Sequence, residues 1–537
     1  MNQRRGRATA RPELQPHLTA TPATVSANLM HKRVQVWTCW LGERVHPLRL
    51  GIETLSVAWA LWPIGILFSV FLARLTYPMD IEWCEGGILY QAYRLIHGLP
   101  VYARNDPVWT PWSYPIGHTL VLALVGLFKC DFWSGRLVSI VFFCLLCAAL
   151  FREVYQHLER SSFGVALGAL TVAVIACAYP VVGQWYDLIR VDTMAMSLSV
   201  IGIARVYRLG VKWRDTLITA AILTGSIYTK QTSAFFVAWA CLFAIAREPR
   251  RGLRVSIVTG LLCLAVLGLL QWGTNGSYWF WTVTDLKGQT VEDPRLVDGL
   301  RQVWTYAPFV VLFPFAFLLI VLRGLLSSRT LLWTGSLIMA IPATLLPYAK
   351  VGGYLNNLIP LIVLLGPVAA LMFADVAKGG GWLGLLARWG AIVGLGLFVW
   401  SRPLHPDEYI PTKRDIRAAN ELNALVASLP GAVVVPDLAF LPARTGHTNP
   451  HWYSMAMWCA IWSGRPMNMA LAFEKSGARW VIMHSRAGDD FSFYVKRHFQ
   501  LARKIPDNAR VRMITGAGVT LDDLWEKLPT GTSQAQP

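Results

Sequence analysis

The stretch Tyr77-Pro-Met-Asp-Ile-Glu-Trp-Cys-Glu-Gly-Gly-Ile-Leu-Tyr-Gln-Ala-Tyr-Arg-Leu-Ile-His-Gly-Leu-Pro-Val-Tyr102 decides how the chain is read. It follows directly on the first long apolar run, Ile52 to Leu75, so three carboxylates, Asp80, Glu82 and Glu85, stand at the mouth of a membrane helix. Acids so close to hydrocarbon are costly unless they are paired, solvated or used, which makes them candidate functional groups. Behind them Ile88, Ala92, Leu95 and Ile96 recur at helical spacing and predict a short amphipathic helix lying on the membrane.

Outward from that stretch, the composition sets the class. The 537 residues are 54% hydrophobic and only 15% charged, against ~25% in soluble domains. Many apolar runs approach the ~20 residues needed to cross a bilayer, so the chain reads as an α-helical polytopic membrane protein. The net charge of +18 does not point to nucleic acid, because the basic residues are dispersed through short loops. That dispersal is the pattern that orients membrane proteins. Cys144 and Cys147 form a CxxC inside an apolar run, where packing explains them better than zinc or redox chemistry.

Residues 1–51 carry eight Lys/Arg and two acids and read as a basic cytoplasmic arm. The run after Pro115 is about 14 residues, short for a span. If it stays on the surface, eleven spans remain in residues 52–401. Their cytoplasmic flanks then hold 22 Lys/Arg and their outer flanks 11. If it crossed, the most basic loops would face outward, against the positive-inside rule. The expected outer loop therefore holds two surface helices. The expected spans include Trp304–Leu322 and a short hairpin, Leu217–Tyr228 and Ala234–Ala246, with Lys230 and Gln231 at its outer tip. Residues 402–537 are soluble-like and predict a small extracytoplasmic α/β or α+β domain, put on the outer side by the eleven spans, with strands near 431–437 and 479–485. His447 and His451 are four apart, but Pro450 between them argues against a helical metal pair.

These choices collect polar residues at one face. Loop one gives Asp80, Glu82, Glu85, Tyr114 and His118. The next outer turn gives Asp187, Arg190 and Asp192, and later turns give Lys230, Gln231, Lys350 and Asn356-Asn357. A carboxylate near hydrocarbon has a raised proton affinity and suits a general base. Arg190, Lys230 and Lys350 suit a phosphate leaving group. Gly352-Gly353 would let backbone approach a ligand. Arg190 could equally hold helix ends by pairing with Asp187 or Asp192, and Lys230 could be an interfacial anchor.

The order of motifs resembles a known family. Asp80-Ile-Glu-Trp-Cys-Glu-Gly86, Gly98-Leu-Pro-Val-Tyr102, Trp112-Ser-Tyr-Pro115, Gly135-Arg-Leu-Val-Ser139, Tyr186-Asp-Leu-Ile-Arg-Val-Asp192 and Thr229-Lys-Gln-Thr232 look like the GT-C superfamily of integral-membrane glycosyltransferases. The bacterial members similar to protein O-mannosyltransferases and the lipid A aminoarabinose transferase are the nearest by motif. The resemblance implies a polyprenyl-phosphate sugar donor, an acceptor outside the cytoplasm (glycan, lipid or protein), a bacterial inner-membrane location and a loop-one acid as base. It puts Asp80 at the loop-one acid, Asp192 at the second outer acid and Tyr114-Pro115 at the aromatic-Pro step. One departure is that Ser113-Tyr114-Pro115 lacks the Lys of the aminoarabinose-transferase branch. Asp80, Glu82, Glu85 and Asp192 are thus the expected catalytic acids, and Arg190, Lys230, Gln231, Lys350 and Tyr114 the expected donor contacts. No ligand spacing demands a metal, although a divalent cation beside acids and phosphate stays open. The competing class is a transporter or flippase of a lipid-linked or anionic substrate, which would show repeated halves with broken helices at the midplane.

Overall fold

The computed structural model describes residues 22–104, 106, 108–447, 468–484, 490–516, 518–519 and 521–529, with side chains from Pro47 onward. The chain divides after Leu55 into two units, and the polar site lies wholly in the second, Ser56–Pro537. His451 and Cys459 lie outside the described residues.

Helix α1 runs Pro22–Leu75, followed by α2 (Glu85–Ile96), α3 (Gly117–Lys129), α4 (Phe132–His157) and α5 (Ser162–Cys177). Next come α6 (Val191–Tyr207), α7 (Trp213–Ile227), α8 (Ser233–Arg247) and α9 (Pro249–Gly273). Among the described residues six helices are long and apolar enough to cross a membrane: the Pro47–Leu75 part of α1, α4, α9, Ser328–Ala349, Leu355–Lys378 and Gly381–Trp400. A seventh is counted if Asp293–Tyr306 and Pro308–Leu322 form one bent span. The other four expected runs fall on α5 to α8, of 16, 17, 15 and 15 residues, each shorter than the ~20 of a full crossing. The 13-residue α3 is shorter still. Leu355–Lys378 is almost wholly buried inside the bundle, while Trp62, Leu264, Leu269 and Phe315 are exposed around it, as expected of a lipid-facing surface.

Two expectations need correcting. The span placed at Trp304–Leu322 is broken: the helices on either side of Ala307 bend by 93°. Pro308 disfavours the helical region for the residue before it, and Ala307 sits at φ −132°, ψ 71°. Second, α2 does not lie with one face open to water. Its apolar side packs against Leu122 and Ala123 of α3, and its polar Gln91 and Arg94 are buried too. Gln91 bridges the Thr119 hydroxyl and the Trp112 N–H, and Arg94 reaches the Pro100 carbonyl and Asp106. A segment from the far end of the chain adds to this packing, with Phe440 against Tyr93 and Phe132.

The bundle has two polar ends. At one, loop one meets the turns 178–190, 228–232 and 350–358. At the other, His157 pairs with Asp375 at 2.7 Å, Arg208 and Arg329 both reach Glu153, and Arg247 caps the Tyr207 carbonyl.

The C-terminal region forms a four-stranded mixed sheet in the order β1-β2-β4-β3: β1 (Ala432–Val434), β2 (Ala478–Met483), β3 (Phe499–Lys504) and β4 (Asp523–Lys527). β1 and β2 are parallel; β4 runs antiparallel to both its neighbours. β1 falls within the expected strand at 431–437 and β2 overlaps the one at 479–485, because apolar runs bounded by turns mark buried strands. The sheet region is tied to loop one by the Ile514 and Thr515 N–H groups, which both donate to the Ile81 carbonyl, and by the Arg444–Asp131 ion pair at 3.1 Å.

Candidate active site

The three loop-one acids are all buried, and each turns to a different partner. Glu85 opens α2 and is bound on both oxygens by Arg136 of α4, at 3.1 and 2.8 Å. It also accepts the Ile81 and Ile189 N–H groups. Burial pushes its carboxyl up, but Arg136 and these donors together hold it below the ordinary carboxylate value. Arg136 spends its remaining donors on the carbonyls of Arg74, Tyr77 and Met79. This pair is therefore the brace that folds loop one back onto α4.

Asp80 accepts the Gly86 N–H at 2.5 Å, and its second oxygen is buried without a hydrogen-bond partner. Burial, and then the charge of Glu85, push its carboxyl well above the ordinary value. A Cβ on Gly86 would stand 2.7 Å from the Asp80 Oδ1 and 3.2 Å from the Phe440 nitrogen, so both crowd that glycine. Glu82 is different. It takes the Cys84 N–H at 3.1 Å and lies 3.7 Å from Arg190. Burial pushes its carboxyl up to about 7 against the pull of that guanidinium.

Arg190 ends the second outer turn at the start of α6. It does not pair with Asp187, which is held instead by Arg74 at 3.2 Å and by the Tyr179 hydroxyl at 2.8 Å. The Arg190 side chain lies over the rings of Trp112, Trp185 and Tyr114, at 4.9, 5.2 and 6.0 Å. Its Nε and Nη1 are buried with no hydrogen-bond partner. A desolvated guanidinium held by ring faces, with donors to spare, is a ready anion contact.

Lys230, at the α7–α8 tip, donates to Asp192 at 2.6 Å and to Asn357 at 2.9 Å, while Asn356 also donates to Asp192. An ammonium has three donors, so one remains for a ligand. Gln231 is committed to the Ser113 and Thr282 carbonyls and ties the tip to the aromatic-Pro segment. Lys350 donates to the Leu286 carbonyl at 3.0 Å, and burial lowers its ammonium below the ordinary value. The close approach at Gly353 is made by the chain itself: a Cβ there would stand 2.4 Å from the carbonyl oxygens of Pro347 and Tyr348. His118 is buried with neither ring nitrogen hydrogen-bonded.

Two cavities adjoin at this end and share a wall of Trp112, Tyr114, Gly352, Gly353 and Asn357. The first, of about 410 Å³, is lined by Glu82, Arg190, Trp185 and Asn356, and by Gly516 from the C-terminal region. The second, of about 320 Å³, is lined by Lys230, Gln231 and Lys350. Asp80, Glu85 and Asp192 line neither. Among the described residues no three His, Cys, Asp or Glu side chains gather as a metal site, and the loop-one acids diverge, so they do not fit a shared cation.

The structure thus brings Glu82, Arg190, Lys230, Gln231, Lys350 and Tyr114 around adjoining spaces. It sets Asp80, Glu85 and Asp192 one step back. Arg136, Trp112, Trp185 and Gly516 gained no individual role from the sequence. Arg136 carried a signal, an arginine one turn into an apolar run. Gly516 carried none.

No protein-family profile matches the sequence, and no curated protein matches it. Solved structures do. The structure is similar to ArnT from Cupriavidus metallidurans bound to undecaprenyl phosphate, with a TM-score of 0.57 at 12% identity over 88% of this chain and 98% of that one. The apo state of the same protein matches with a TM-score of 0.53 at 13% identity, over 87% and 98%. At that identity the likeness shows a shared fold: this chain has the architecture of ArnT.

Proposed function

We propose that this chain is a GT-C-type membrane glycosyltransferase, moving a sugar from a polyprenyl-phosphate donor to an acceptor on the outer face of a bacterial inner membrane. The single observation that carries the reading is the pair of adjoining cavities, one lined by lysines and the other by Glu82 and Arg190. The shared fold supports it, since ArnT has been seen with undecaprenyl phosphate bound. The topology that goes with this reading is the eleven-span one, in which the short α5 to α8 cross as well.

In this reading the donor phosphate sits against the free donors of Lys230 and Lys350, with Arg190 at the boundary. Asp192 and Asn357 hold the Lys230 ammonium in place. The acceptor enters the Glu82 cavity, between the aromatic faces of Trp112, Tyr114 and Trp185. Glu82 takes the proton from the acceptor hydroxyl or amine as that atom bonds to the anomeric carbon. The bond from that carbon to the phosphate oxygen breaks, and the electron pair leaves with polyprenyl phosphate, where the cations neutralise it. Asp80, pushed towards its protonated form, and Glu85, bound by Arg136, position the loop that carries Glu82.

The test is a deletion strain whose cell-envelope glycans, lipids and proteins are compared by mass spectrometry. One missing sugar substituent, restored by the wild-type gene and not by Glu82→Gln, is expected. An unchanged glycan profile overturns the reading. A transporter would instead need a pathway between the two polar ends, whereas both cavities that hold the lysines and Glu82 lie at one of them.

A further inference from the structure

The opposite polar end carries a second arrangement that sugar transfer does not use. A cavity of about 530 Å³ is lined by four arginines, Arg152, Arg160, Arg208 and Arg329, with Gln156 and a single carboxylate, Glu159. It shares Arg152 and Arg208 with a groove of about 430 Å³ between α4, α6 and α7. The groove has an apolar wall that includes Leu145, Ala148 and Ile201. Leu145 is 44% exposed, so the groove opens towards the lipid-facing side of the bundle.

The charges are unbalanced. Glu153 is buried and takes both Arg208 and Arg329, and Arg208 also reaches Gln156. Arg152 and Arg160 have no carboxylate within ion-pairing distance among the described residues. Arg160 follows Glu159 in a turn where both residues have positive φ, 55° and 60°, a conformation that side chains other than glycine seldom adopt. That turn brings Arg160 to the cavity wall. Guanidinium groups match phosphate oxygens in pairs, and an apolar groove running from the same cavity matches an acyl chain.

We propose that this end binds one acidic phospholipid of the cytoplasmic leaflet, its headgroup phosphate between Arg152, Arg160 and Arg208 and one acyl chain in the α4–α6–α7 groove. The leaflet assignment rests on the topology above; the binding itself does not depend on the transferase activity. A free phosphate would satisfy the arginines but leave the contiguous apolar groove unfilled, which favours the lipid.

The experiment is native mass spectrometry of the full-length protein released from nanodiscs of phosphatidylglycerol and phosphatidylcholine. Wild type should retain one phosphatidylglycerol, and Arg152→Ala/Arg160→Ala should retain it roughly thirtyfold less, since each arginine near an anionic headgroup contributes about fivefold. These two arginines are chosen because neither holds a buried partner, so the fold survives their loss. Ala148→Leu, which fills the groove and leaves every arginine, should also lower retention. Equal retention in both variants overturns the proposal. So does loss in the arginine variant with full retention in Ala148→Leu and displacement by glycerol 3-phosphate, because that describes a site for a free anion. Sugar transfer persisting in a variant that has lost the lipid would leave the proposed enzyme intact and the lipid site demonstrated.

Discussion

The Glu82 carboxylate and the Arg190 guanidinium stand 3.7 Å apart, both almost fully buried, at the wall of one cavity. The spacing is loose for an ion pair, and two Arg190 nitrogens have no hydrogen-bond partner. The pair therefore retains capacity on both sides: Glu82 for a proton, Arg190 for an anion.

Removing the base should stop the chemistry without emptying the site. Glu82→Gln keeps the shape and loses the charge, and the expected fall in turnover is about 10³-fold with donor binding retained. Asp80→Asn mimics the protonated form its burial favours and should keep most activity. Steady-state transfer from a synthetic donor, beside donor binding by calorimetry, separates the two acids. Loss of turnover in Asp80→Asn with full activity in Glu82→Gln would return the role of base to Asp80.

The pH profile follows from the same burial. Below about 7 Glu82 holds its proton and cannot accept another; above it the carboxylate is free. kcat/KM should rise tenfold per pH unit on the acid side and level off past about 7. Stability runs the other way. The folded state binds this proton more tightly than the unfolded chain, whose glutamate titrates near 4.5, so the Glu82 contribution is present below 4.5 and fades as pH rises towards 7. A flat profile between pH 5 and 8 contradicts the role.

Lys350 offers a clean probe of the donor phosphate, because it holds only a carbonyl and no buried carboxylate. Lys350→Ala should raise the KM for the lipid donor about tenfold, the worth of one charge-assisted hydrogen bond, with kcat little changed. Lys230→Ala would strand Asp192 and confound binding with folding. An unaltered KM in Lys350→Ala removes it from the donor site.

Glu85 and Arg136 predict a structural effect. Both are fully buried, and Arg136 also closes three carbonyls of loop one. Arg136→Ala leaves Glu85 as an uncompensated buried charge, a loss of about 3–5 kcal/mol. Thermal unfolding in detergent should show it as a lowered midpoint. A variant as stable as wild type would mean that the brace is dispensable.

The C-terminal region should matter to the reaction through Gly516. Its φ is +81°, and a Cβ there would stand 2.7 Å from the Glu82 Cγ. Gly516→Ala should therefore displace Glu82 and lower turnover at least tenfold, beside the modest fall in unfolding midpoint that a Cβ at positive φ brings. Full activity would detach this region from the site.

The membrane class and the helix positions were legible in the sequence, because hydropathy is local and a bilayer imposes one length scale on every span. The run after Pro115 is short in the sequence, and it is a helix of 13 residues, less than a full crossing. Lys230, Arg190 and Lys350 were also legible, since ionisable residues beside apolar runs are conspicuous. What failed was partner choice. Asp187 is three residues from Arg190 and pairs with Arg74, over a hundred positions away. The break at Ala307 comes from Pro308, a local signal that the apolar run on either side of it masks.

The sequence by itself determined that this is a bundle of apolar helices whose acids and cations lie at the ends of the apolar runs, because burial of hydrocarbon and exclusion of charge act on each segment separately. The tertiary structure decided which of three neighbouring acids faces a cavity. Arg136 claims Glu85, the Gly86 N–H takes one oxygen of the buried Asp80, and Glu82 is left beside Arg190. Arg136 comes from α4 and Arg190 from the turn that opens α6. Their approach is set by packing over the whole chain, which no local stretch of residues encodes.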